Sequence, residues 1–314
     1  MIVAILGAGP AGMSCANACL SFGLTPVVIE QGDHVGGAQR SNFHPNLWLL
    51  GSPSESGQEL TRRLVSHYAE LKATTLLATR LEGLEKSDVG LLLQLHTPPG
   101  RRGLAANALV IASGMRPHAT PELMELAQAS PRAIVGPLND TIRDHVRDAE
   151  VLILGGGDNA LDHALFLAER GNRIRVCTRG EFSGREALLG ACRQRPEIQL
   201  SPHCRPQRIT ADGAGVTARW REAEPRRYDW LLVMYGYKPN TEVGETFAPA
   251  LRPARIPSGH LHVDTWQRTT VPGIYAAGDV TDNVQPAIPT AIAQGLAAAK
   301  AIERDWKAGR LAIL

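Results

Sequence analysis

The chain has 314 residues, and its 33 Lys and Arg residues nearly balance its 31 Asp and Glu residues, for a formal net charge of +2. The length allows two domains with separate cores. Basic residues are scattered, which argues against a nucleic-acid partner, and no apolar run approaches the ~20 residues of a membrane span. The five cysteines have neither Cys-x-x-Cys nor metal-ligand spacing, so we expect a cytoplasmic protein without a bound metal.

The N-terminal segment predicts a strand, a Gly-rich turn, a helix and a second strand. The apolar run 2–6 precedes Gly7-Ala8-Gly9-Pro10-Ala11-Gly12, and strand 26–30 follows a helix that we expect to reach Phe22. In this dinucleotide fingerprint the glycines permit a tight turn, let the backbone approach a pyrophosphate and allow the helix to pack on the strand. Glu30 ends the second strand, where a carboxylate accepts hydrogen bonds from both ribose hydroxyls and repels a 2′-phosphate.

The next segment combines loops with regular structure. Residues 31–57 are rich in Gly, Ser, Asn and Pro and predict long loops. Apolar residues at helical spacing predict a helix over 58–71, and residues 74–111 predict a β-meander that ends in the apolar strand 108–112. Ser113–Pro117 interrupts this pattern and marks a first domain boundary.

A second fingerprint, Gly155-Gly156-Gly157-Asp158-Asn159-Ala160, follows the apolar run 151–154 and opens an Ala/Leu-rich helix. The next strand, 173–177, ends before Thr178, at the position where an NAD-specific site carries an acid. Arg179 and Arg185 follow, and an arginine here can pair with a 2′-phosphate, so NADPH is favoured over NADH. The alternative is that both arginines are solvated surface residues, and Glu181 argues against a phosphate. Two fingerprints in one chain indicate electron transfer from a nicotinamide to a flavin.

The C-terminal segment predicts the second half of the first site. Strand 273–277 precedes Gly278-Asp279, and an Ala-rich helix is expected over 288–306. An aspartate after such a strand suits a ribitol hydroxyl of FAD, although alone it also fits a helix N-cap. We expect the helix N-terminus, at Ala287 and Ile288, to point its N–H groups toward flavin N1 and O2 and to stabilise the anionic reduced flavin.

These motifs together resemble the low-molecular-weight thioredoxin reductases over nearly the whole chain. Besides the two fingerprints, the shared motifs are Gly36-Gly37 before Gln39, Ala112-Ser113-Gly114, the turn 236–241 and the segment 271–280. The resemblance implies an α/β fold of two Rossmann-like (ββα-type) dinucleotide-binding domains, the NAD(P)-binding domain inserted into the FAD-binding domain, and a homodimer. The expected FAD domain comprises residues 1–116 and 245–314, and the expected NAD(P) domain comprises residues 117–244.

The resemblance, together with the motifs, also implies which residues contact each cofactor. The expected FAD contacts are Gly7, Gly9, Pro10, Ala11, Gly12, Glu30, Gln31, Gly37, Gln39, His44, Ala112, Ser113, Gly114, Gly278, Asp279, Ala287 and Ile288. The expected NAD(P) contacts are Gly155, Gly157, Asp158, Asn159, Ala160, Arg179, Arg185 and Gly236. Trp48 and Ser52 share a loop with His44 that we expect near the flavin ring, where loop packing is their alternative role. Tyr235 and Tyr237 border the expected nicotinamide path, with core or interface packing as the alternative.

Two departures from the family pattern bear on function. Thioredoxin reductases carry a redox Cys-x-x-Cys before the second fingerprint, and residues 132–140 of this chain contain no cysteine. Because dithiol–disulfide exchange needs an attacking thiolate and a resolving thiol, thioredoxin reduction by that route is excluded. The family's phosphate clamp is reduced to Thr178-Arg179-Gly180 and Arg185, which leaves the nucleotide preference, and nicotinamide use itself, open.

The sequence is therefore interpreted as an FAD-dependent NAD(P)H oxidoreductase with its chemistry on the flavin. A nicotinamide passes a hydride to flavin N5, and reduced FAD passes electrons to a separate acceptor, with a ferredoxin- or flavodoxin-type protein as first choice. This matches the thioredoxin-reductase-like ferredoxin–NADP reductases, which lack the cysteine pair. One alternative is a small-molecule disulfide reductase that uses Cys15, although core packing is the other role for Cys15 and Cys19. A second is a flavin-binding electron-transfer or redox-sensing protein that no longer uses NAD(P)H.

Overall fold

The computed structural model describes residues 1–46, 49–52, 54–87, 90–221, 224–282 and 285–311. The chain forms two compact units, one from Met1–Met115 and Pro239–Leu314 and the other from Arg116–Lys238. The second boundary falls at Pro239, whereas the sequence placed it at residue 245. The residues after Pro239 belong to the first unit because the Asn240 backbone N–H donates to the Gly114 carbonyl oxygen at 2.9 Å.

The strands and helices are numbered in chain order. The strands are β1 Ile2–Leu6, β2 Thr25–Ile29, β3 Thr74–Leu76, β4 Arg80–Ser87, β5 Gly90–Thr97, β6 Gly100–Ala106, β7 Ala108–Ile111, β8 Met115–Pro117, β9 Ala133–Val135, β10 Glu150–Leu154, β11 Arg173–Cys177, β12 Ile198–Ser201, β13 Arg208–Asp212, β14 Gly215–Arg219, β15 Arg226–Tyr228, β16 Trp230–Val233, β17 Tyr237–Pro239 and β18 Ile274–Ala276. The helices are α1 Pro10–Ser21, α2 Gly57–Glu70, α3 Pro121–Ala129, α4 Asp140–His145, α5 Asp158–Ala168, α6 Glu186–Arg193 and α7 Ile288–Lys307. Short 3-10 helices span Gly37–Ser41, Glu242–Thr246 and Pro249–Leu251.

The first unit is built on a parallel sheet with the strand order β18-β7-β1-β2-β3. Residues 2–6 are apolar throughout because β1 is covered on both faces, as is usual for parallel sheets. Val3 and Ile5 pack against α1 and α7, whereas Ala4 and Leu6 pack against the antiparallel sheet β4-β5-β6. The carboxyl ends of the parallel strands therefore meet at one edge, where the Gly-rich turn follows β1.

The segment predicted as one meander divides between two sheets. β3 and β7 join the parallel sheet, and only β4–β6 form the antiparallel meander. The prediction was wrong here because β3 pairs with β2 and β7 pairs with β1, and neither pairing can be read from the local alternation of residues. The helix predicted over 58–71 is α2. It begins one residue earlier, at Gly57, because Ser56 caps it: the Ser56 side chain accepts a hydrogen bond from the Glu59 N–H at 3.2 Å.

The second unit repeats this plan. Its parallel sheet has the order β12-β11-β10-β16-β9, with β10 in the central position that β1 holds in the first unit. Leu152 and Leu154 of β10 pack under the antiparallel sheet β13-β14-β15 through Val216 and Tyr228. Among the described residues, no helix is long and apolar enough to cross a membrane. The same described ranges contain no group of three or more His, Cys, Asp or Glu side chains that could hold a metal ion.

Asp305 is a buried carboxylate, 4% exposed, that attaches α7 to the sheet. It accepts hydrogen bonds from Arg268 Nε at 2.8 Å, Tyr275 Oη at 2.7 Å and Arg310 Nε at 3.0 Å. Burial alone would raise the pKa of Asp305, but the hydrogen bonds from these three side chains lower it below its usual value. The ionised form of Asp305 is therefore part of the folded structure.

We expect Asp305→Asn to destabilise the protein by about 3 kcal/mol at pH 7, because it breaks a buried ion pair. A carboxyl whose pKa is lowered on folding contributes stability above its unfolded-state pKa, about 3.9, and loses that contribution as the pH falls. Denaturant unfolding should show a wild-type advantage that is full at neutral pH and shrinks below about pH 4. A difference that stays constant into the acid range would contradict this role of Asp305.

Candidate functional site

The first fingerprint turn leaves space above one of its three glycines. Gly7 has a φ of +105°, and a Cβ there would lie 2.4 Å from the Ala112 carbonyl oxygen, so packing requires glycine. A Cβ at Gly12 would lie 1.9 Å from the Gly7 carbonyl oxygen, which again requires glycine. At Gly9 the nearest described atom, the Gly37 Cα, would be 3.9 Å away. The Gly9 position is therefore open to a close-lying ligand, as the dinucleotide fingerprint predicts.

Glu30 is held at the end of β2, directly beside this turn. Its Oε2 accepts from the Ala8 N–H and its Oε1 accepts from the Gly32 N–H, both at 2.8 Å. Each carboxylate oxygen has more than one acceptor position, so both can also accept hydroxyl donors from a ribose. The Gly36 N–H donates to the Ala8 carbonyl at 2.8 Å, which folds the loop after β2 back over the turn.

Other predicted FAD contacts lie in this loop and in the segment that follows. Gln31 is exposed, and Gln39, in the 3-10 helix that begins at Gly37, accepts from Asn42 Nδ2 at 2.7 Å. His44 is partly buried, and burial lowers its pKa; its ring lies 4.4 Å from that of Phe43. Ser52 is buried and donates to Glu55. Trp48, which the sequence placed beside the flavin, lies outside the described residues.

Asp279 follows β18 and is the clearest sign of a missing polar ligand. The side chain lies at the sheet edge that carries the first fingerprint, and burial raises its pKa. Its Oδ1 is buried and has no hydrogen-bond partner among the described residues. A buried polar atom without a partner is costly, and a hydroxyl donor from a ligand would satisfy this oxygen.

Two further segments border the same edge. Ser113 follows β7 and donates through Oγ to the Asn240 carbonyl at 2.8 Å. Gly114 has a φ of +64°, and a Cβ there would meet no described atom within 4 Å. Ala287 precedes α7 in extended conformation, and no described side chain caps the helix there. The first turn of α7 therefore presents the positive end of a helix dipole.

The second fingerprint lines a cavity of about 390 Å³ in the second unit. A Cβ at Gly155 would lie 2.4 Å from the Met234 carbonyl oxygen, whereas at Gly157 the nearest described atom, Ser183 Oγ, would be 4.0 Å away. Asp158 and Asn159 also line the cavity, and Ala160 is buried at the start of α5. Gly236 also lines the cavity and has a φ of +89°. A Cβ built at this glycine would have no described atom within 4 Å.

Of the two arginines that the sequence predicted at this cavity, only one is among the residues that line it. Arg179 lines the cavity, as does Arg205, which follows β12 and was missed in the sequence. Burial lowers the pKa of His118, and the nearby cations Lys238, Arg179 and Arg116 lower it further, which marks positive potential around this site. Arg205 could have been found because β11 and β12 are parallel neighbours, so the residues after them share one sheet edge.

Arg185 and Glu181 are not among the cavity residues. The Arg185 backbone N–H and Nε donate to Asp158 at 2.7 and 2.6 Å, so this arginine pairs with a carboxylate and precedes α6. Glu181 pairs with His203 Nε2 at 2.7 Å. The contact of Arg185 with a phosphate stays a prediction, and in this structure its guanidinium pairs with Asp158.

Cys15 and Cys19 lie in the core of the first unit. Both are 0% exposed, and the hydrogen bond with Cys19 and burial together raise the pKa of Cys15 well above its usual value. A Cβ at Gly295 of α7 would lie 2.9 Å from the Cys15 backbone nitrogen, which shows how closely α7 covers this part of α1. Cys15 therefore remains a protonated core thiol with no access for a substrate disulfide.

Two fingerprint turns on two parallel sheets, each open above its second glycine, define a protein that binds two dinucleotides. Residues 1–295 match the family Pyridine nucleotide-disulphide oxidoreductase, and the chain belongs to this family. Members of the family are oxidoreductases that bind FAD and NAD(P)H. The open Gly9 and Gly157 positions fit these two cofactors, as does Asp279 Oδ1, which has no hydrogen-bond partner among the described residues.

Several similar proteins match nearly the whole length of this chain. A Ferredoxin–NADP reductase from Salinispora arenicola is 29% identical over 296 residues, 89% of this chain and 86% of the relative. A Thioredoxin reductase from Buchnera aphidicola is 27% identical over 321 residues, 96% of both chains. The crystal structure of T. acidophilum thioredoxin reductase superposes with a TM-score of 0.80 at 22% identity, covering 97% of this chain and 98% of the other. At this low sequence identity, the structural similarity supports the fold of the chain and nothing further.

Two alanine substitutions separate packing from ligand access at the second fingerprint. We expect Gly155→Ala to lower the stability of the protein, because its Cβ would collide with the Met234 carbonyl oxygen at 2.4 Å. Gly157→Ala should fold like the wild type but bind nicotinamide nucleotides about tenfold more weakly, the loss of about 1.4 kcal/mol. Thermal unfolding and nucleotide titration measure the two effects. Unchanged nucleotide affinity in a folded Gly157→Ala variant would contradict the site.

Proposed function

We propose that this chain is an FAD-dependent NADPH oxidoreductase that passes electrons to a separate ferredoxin- or flavodoxin-type protein. The observation that carries the proposal is the Asp279 Oδ1 atom, which is buried and has no hydrogen-bond partner among the described residues, on the sheet edge that also carries the first fingerprint. The similarity to a protein named Ferredoxin–NADP reductase supports the choice of acceptor. The proposal includes a homodimer in the cytoplasm.

The FAD-binding role is assigned to residues of the first unit. Gly9 lets the backbone approach the pyrophosphate, and Glu30, already oriented by two backbone N–H groups, accepts from the adenosine ribose. Asp279 accepts from a ribitol hydroxyl, which would satisfy its buried Oδ1. The N-terminal turn of α7 would contribute the positive end of its helix dipole to this site and would favour negative charge on the bound cofactor. Gln31, Gln39 and His44 stay predicted contacts of the same cofactor.

The nicotinamide nucleotide is assigned to the cavity of the second unit. Gly157 lets the backbone approach the pyrophosphate, and the residue after β11 is the neutral Thr178, which does not repel a 2′-phosphate. Arg179 and Arg205 border the same end and can make charge-assisted bonds to that phosphate. This combination supports NADPH over NADH.

FAD, when bound, would supply the redox chemistry that connects NADPH to the acceptor. The side chains therefore need to bind and orient the cofactors rather than to exchange protons. The buried, protonated Cys15 argues against the alternative of a single-cysteine disulfide reductase. The arginines at the second cavity argue against the alternative of a flavoprotein that no longer uses nicotinamides.

The phosphate assignment predicts separate effects for three arginines. Arg179→Ala and Arg205→Ala should each raise the KM for NADPH about tenfold or more and leave the KM for NADH nearly unchanged, because each removes a charge-assisted bond of about 1.5–3 kcal/mol. Arg185→Ala is the control and should leave the NADPH-to-NADH ratio unaltered, because Arg185 pairs with Asp158. Steady-state kinetics with both nucleotides measures this. Equal use of NADPH and NADH by the wild type would contradict the assignment of these arginines to a 2′-phosphate.

The flavin assignment predicts a specific loss at Asp279. We expect Asp279→Asn to weaken FAD binding about tenfold or more, because a hydrogen bond to a charged group contributes about 1.5–3 kcal/mol. Glu82→Gln, on the surface of β4, is a control that should retain FAD like the wild type. Fluorescence of released flavin during dilution measures retention. Equal retention in both variants would remove Asp279 from the FAD site.

The acceptor is tested with a panel under NADPH turnover. We expect a ferredoxin or flavodoxin to be reduced and thioredoxin not to be, because the thiols of α1 are buried in the core. Cys15→Ala and Cys19→Ala should retain the reduction of the protein acceptor, apart from losses in folding. Thioredoxin reduction by the wild type that disappears in Cys15→Ala alone would favour the disulfide reductase instead.

A further inference from the structure

Two cysteines of the second unit lie in contact at the wall of the nucleotide cavity. Cys177 ends β11 and Cys204 follows β12, and their Sγ atoms are 3.1 Å apart. The Cys204 N–H donates to the Thr178 carbonyl at 2.8 Å, which folds the segment after β12 across the end of β11. Both residues line the cavity together with Arg205. An S–S bond of about 2.05 Å needs the two sulfurs to approach by only about 1 Å.

The two thiols have different surroundings. Cys177 is 2% exposed, and burial raises its pKa to about 12, whereas Cys204 is partly exposed. Arg175 Nη2 lies 3.6 Å from Cys204 Sγ, and the guanidinium is held by Ser201 Oγ at 3.2 Å and by the Trp220 ring at 4.6 Å. A peroxide reacts with a cysteine sulfur that it can reach. Cys204, the more exposed of the two, is thus the reactive partner and Cys177 the resolving one.

We propose that Cys177 and Cys204 form a reversible redox-modification site in which a peroxide converts the two thiols into a disulfide. The Cys204 thiolate attacks one oxygen of hydrogen peroxide and breaks the O–O bond, which yields a sulfenic acid and, with one proton, water. The Cys177 sulfur then attacks Cys204 Sγ, and its proton leaves with the sulfenic oxygen as a second water. Two thiols and one peroxide give one disulfide and two waters, and a dithiol reductant restores the thiols by exchange.

The position of the pair connects this chemistry to nucleotide binding. Thr178 and Arg205 directly follow the two cysteines in the chain, and both line the cavity. Closing the disulfide moves Cys204 toward Cys177 and takes the backbone of Arg205 with it, which changes the position of the arginine assigned to the 2′-phosphate. The disulfide should therefore weaken binding of NADP⁺, and by thermodynamic reciprocity bound NADP⁺ should hinder disulfide formation. This consequence rests on the proposed NADPH function.

The test treats the FAD-loaded protein with hydrogen peroxide, with and without saturating NADP⁺, and then blocks free thiols for peptide mass spectrometry. We expect one disulfide that joins the peptides of Cys177 and Cys204, that dithiothreitol reverses and that NADP⁺ slows. The Kd of the oxidised protein for NADP⁺ should be about threefold or more above that of the reduced protein. Cys204→Ser should form no such disulfide, and Cys192→Ala, which alters a buried thiol elsewhere in this unit, should still form it.

Two results would overturn the proposal. One is the absence of a Cys177–Cys204 disulfide in peroxide-treated wild type, and the other is a disulfide that leaves the Kd for NADP⁺ unchanged. Failure of the proposed function looks different, because reduced protein that binds no NADP⁺ would refute the nucleotide assignment whether or not the disulfide forms.

Discussion

The structure depends on one backbone contact that occurs in both units. In each unit, the first fingerprint glycine packs its Cα against the carbonyl oxygen that follows a neighbouring parallel strand. A Cβ at Gly7 would lie 2.4 Å from the Ala112 oxygen, and one at Gly155 would lie 2.4 Å from the Met234 oxygen. The N–H groups of Ala112 and Met234 in turn donate to β1 and β10 at 2.8 and 2.7 Å. This contact brings the turn down onto the sheet and leaves the helix N-terminus exposed to a pyrophosphate.

The residues around each turn then determine which dinucleotide fits. The loop after the second strand returns to the turn in both units, through the Gly36 N–H to the Ala8 oxygen and the Ser183 N–H to the Gly156 oxygen. The first unit places a carboxylate, Glu30, at the strand end, and the second places a neutral threonine flanked by Arg179 and Arg205. The same backbone plan therefore carries different charge in the two units, because the side chains at the corresponding sheet edges differ.

The sequence predicted what depends on local pattern and missed what depends on neighbours in space. The fingerprints, the helices that follow them and the placement of Glu30 arise within one βαβ segment, so spacing alone locates them. The pairing of Arg185 with Asp158 could not be predicted, because it joins side chains from separate segments of the chain. Arg205 and the Cys177–Cys204 contact arise from the parallel pairing of β11 with β12, which joins residues far apart in the chain. The second domain boundary also depended on a distant contact, between Asn240 and Gly114.

The most direct test of the account is an anaerobic titration of the purified protein with NADPH and with NADH, followed through the flavin absorbance. The account predicts about one FAD per chain, bleached by NADPH at a lower concentration than by NADH, since the second cavity presents arginines and no acid at the 2′ position. A colourless protein that cannot be reconstituted with FAD, or a bound flavin that neither nucleotide reduces, would contradict it.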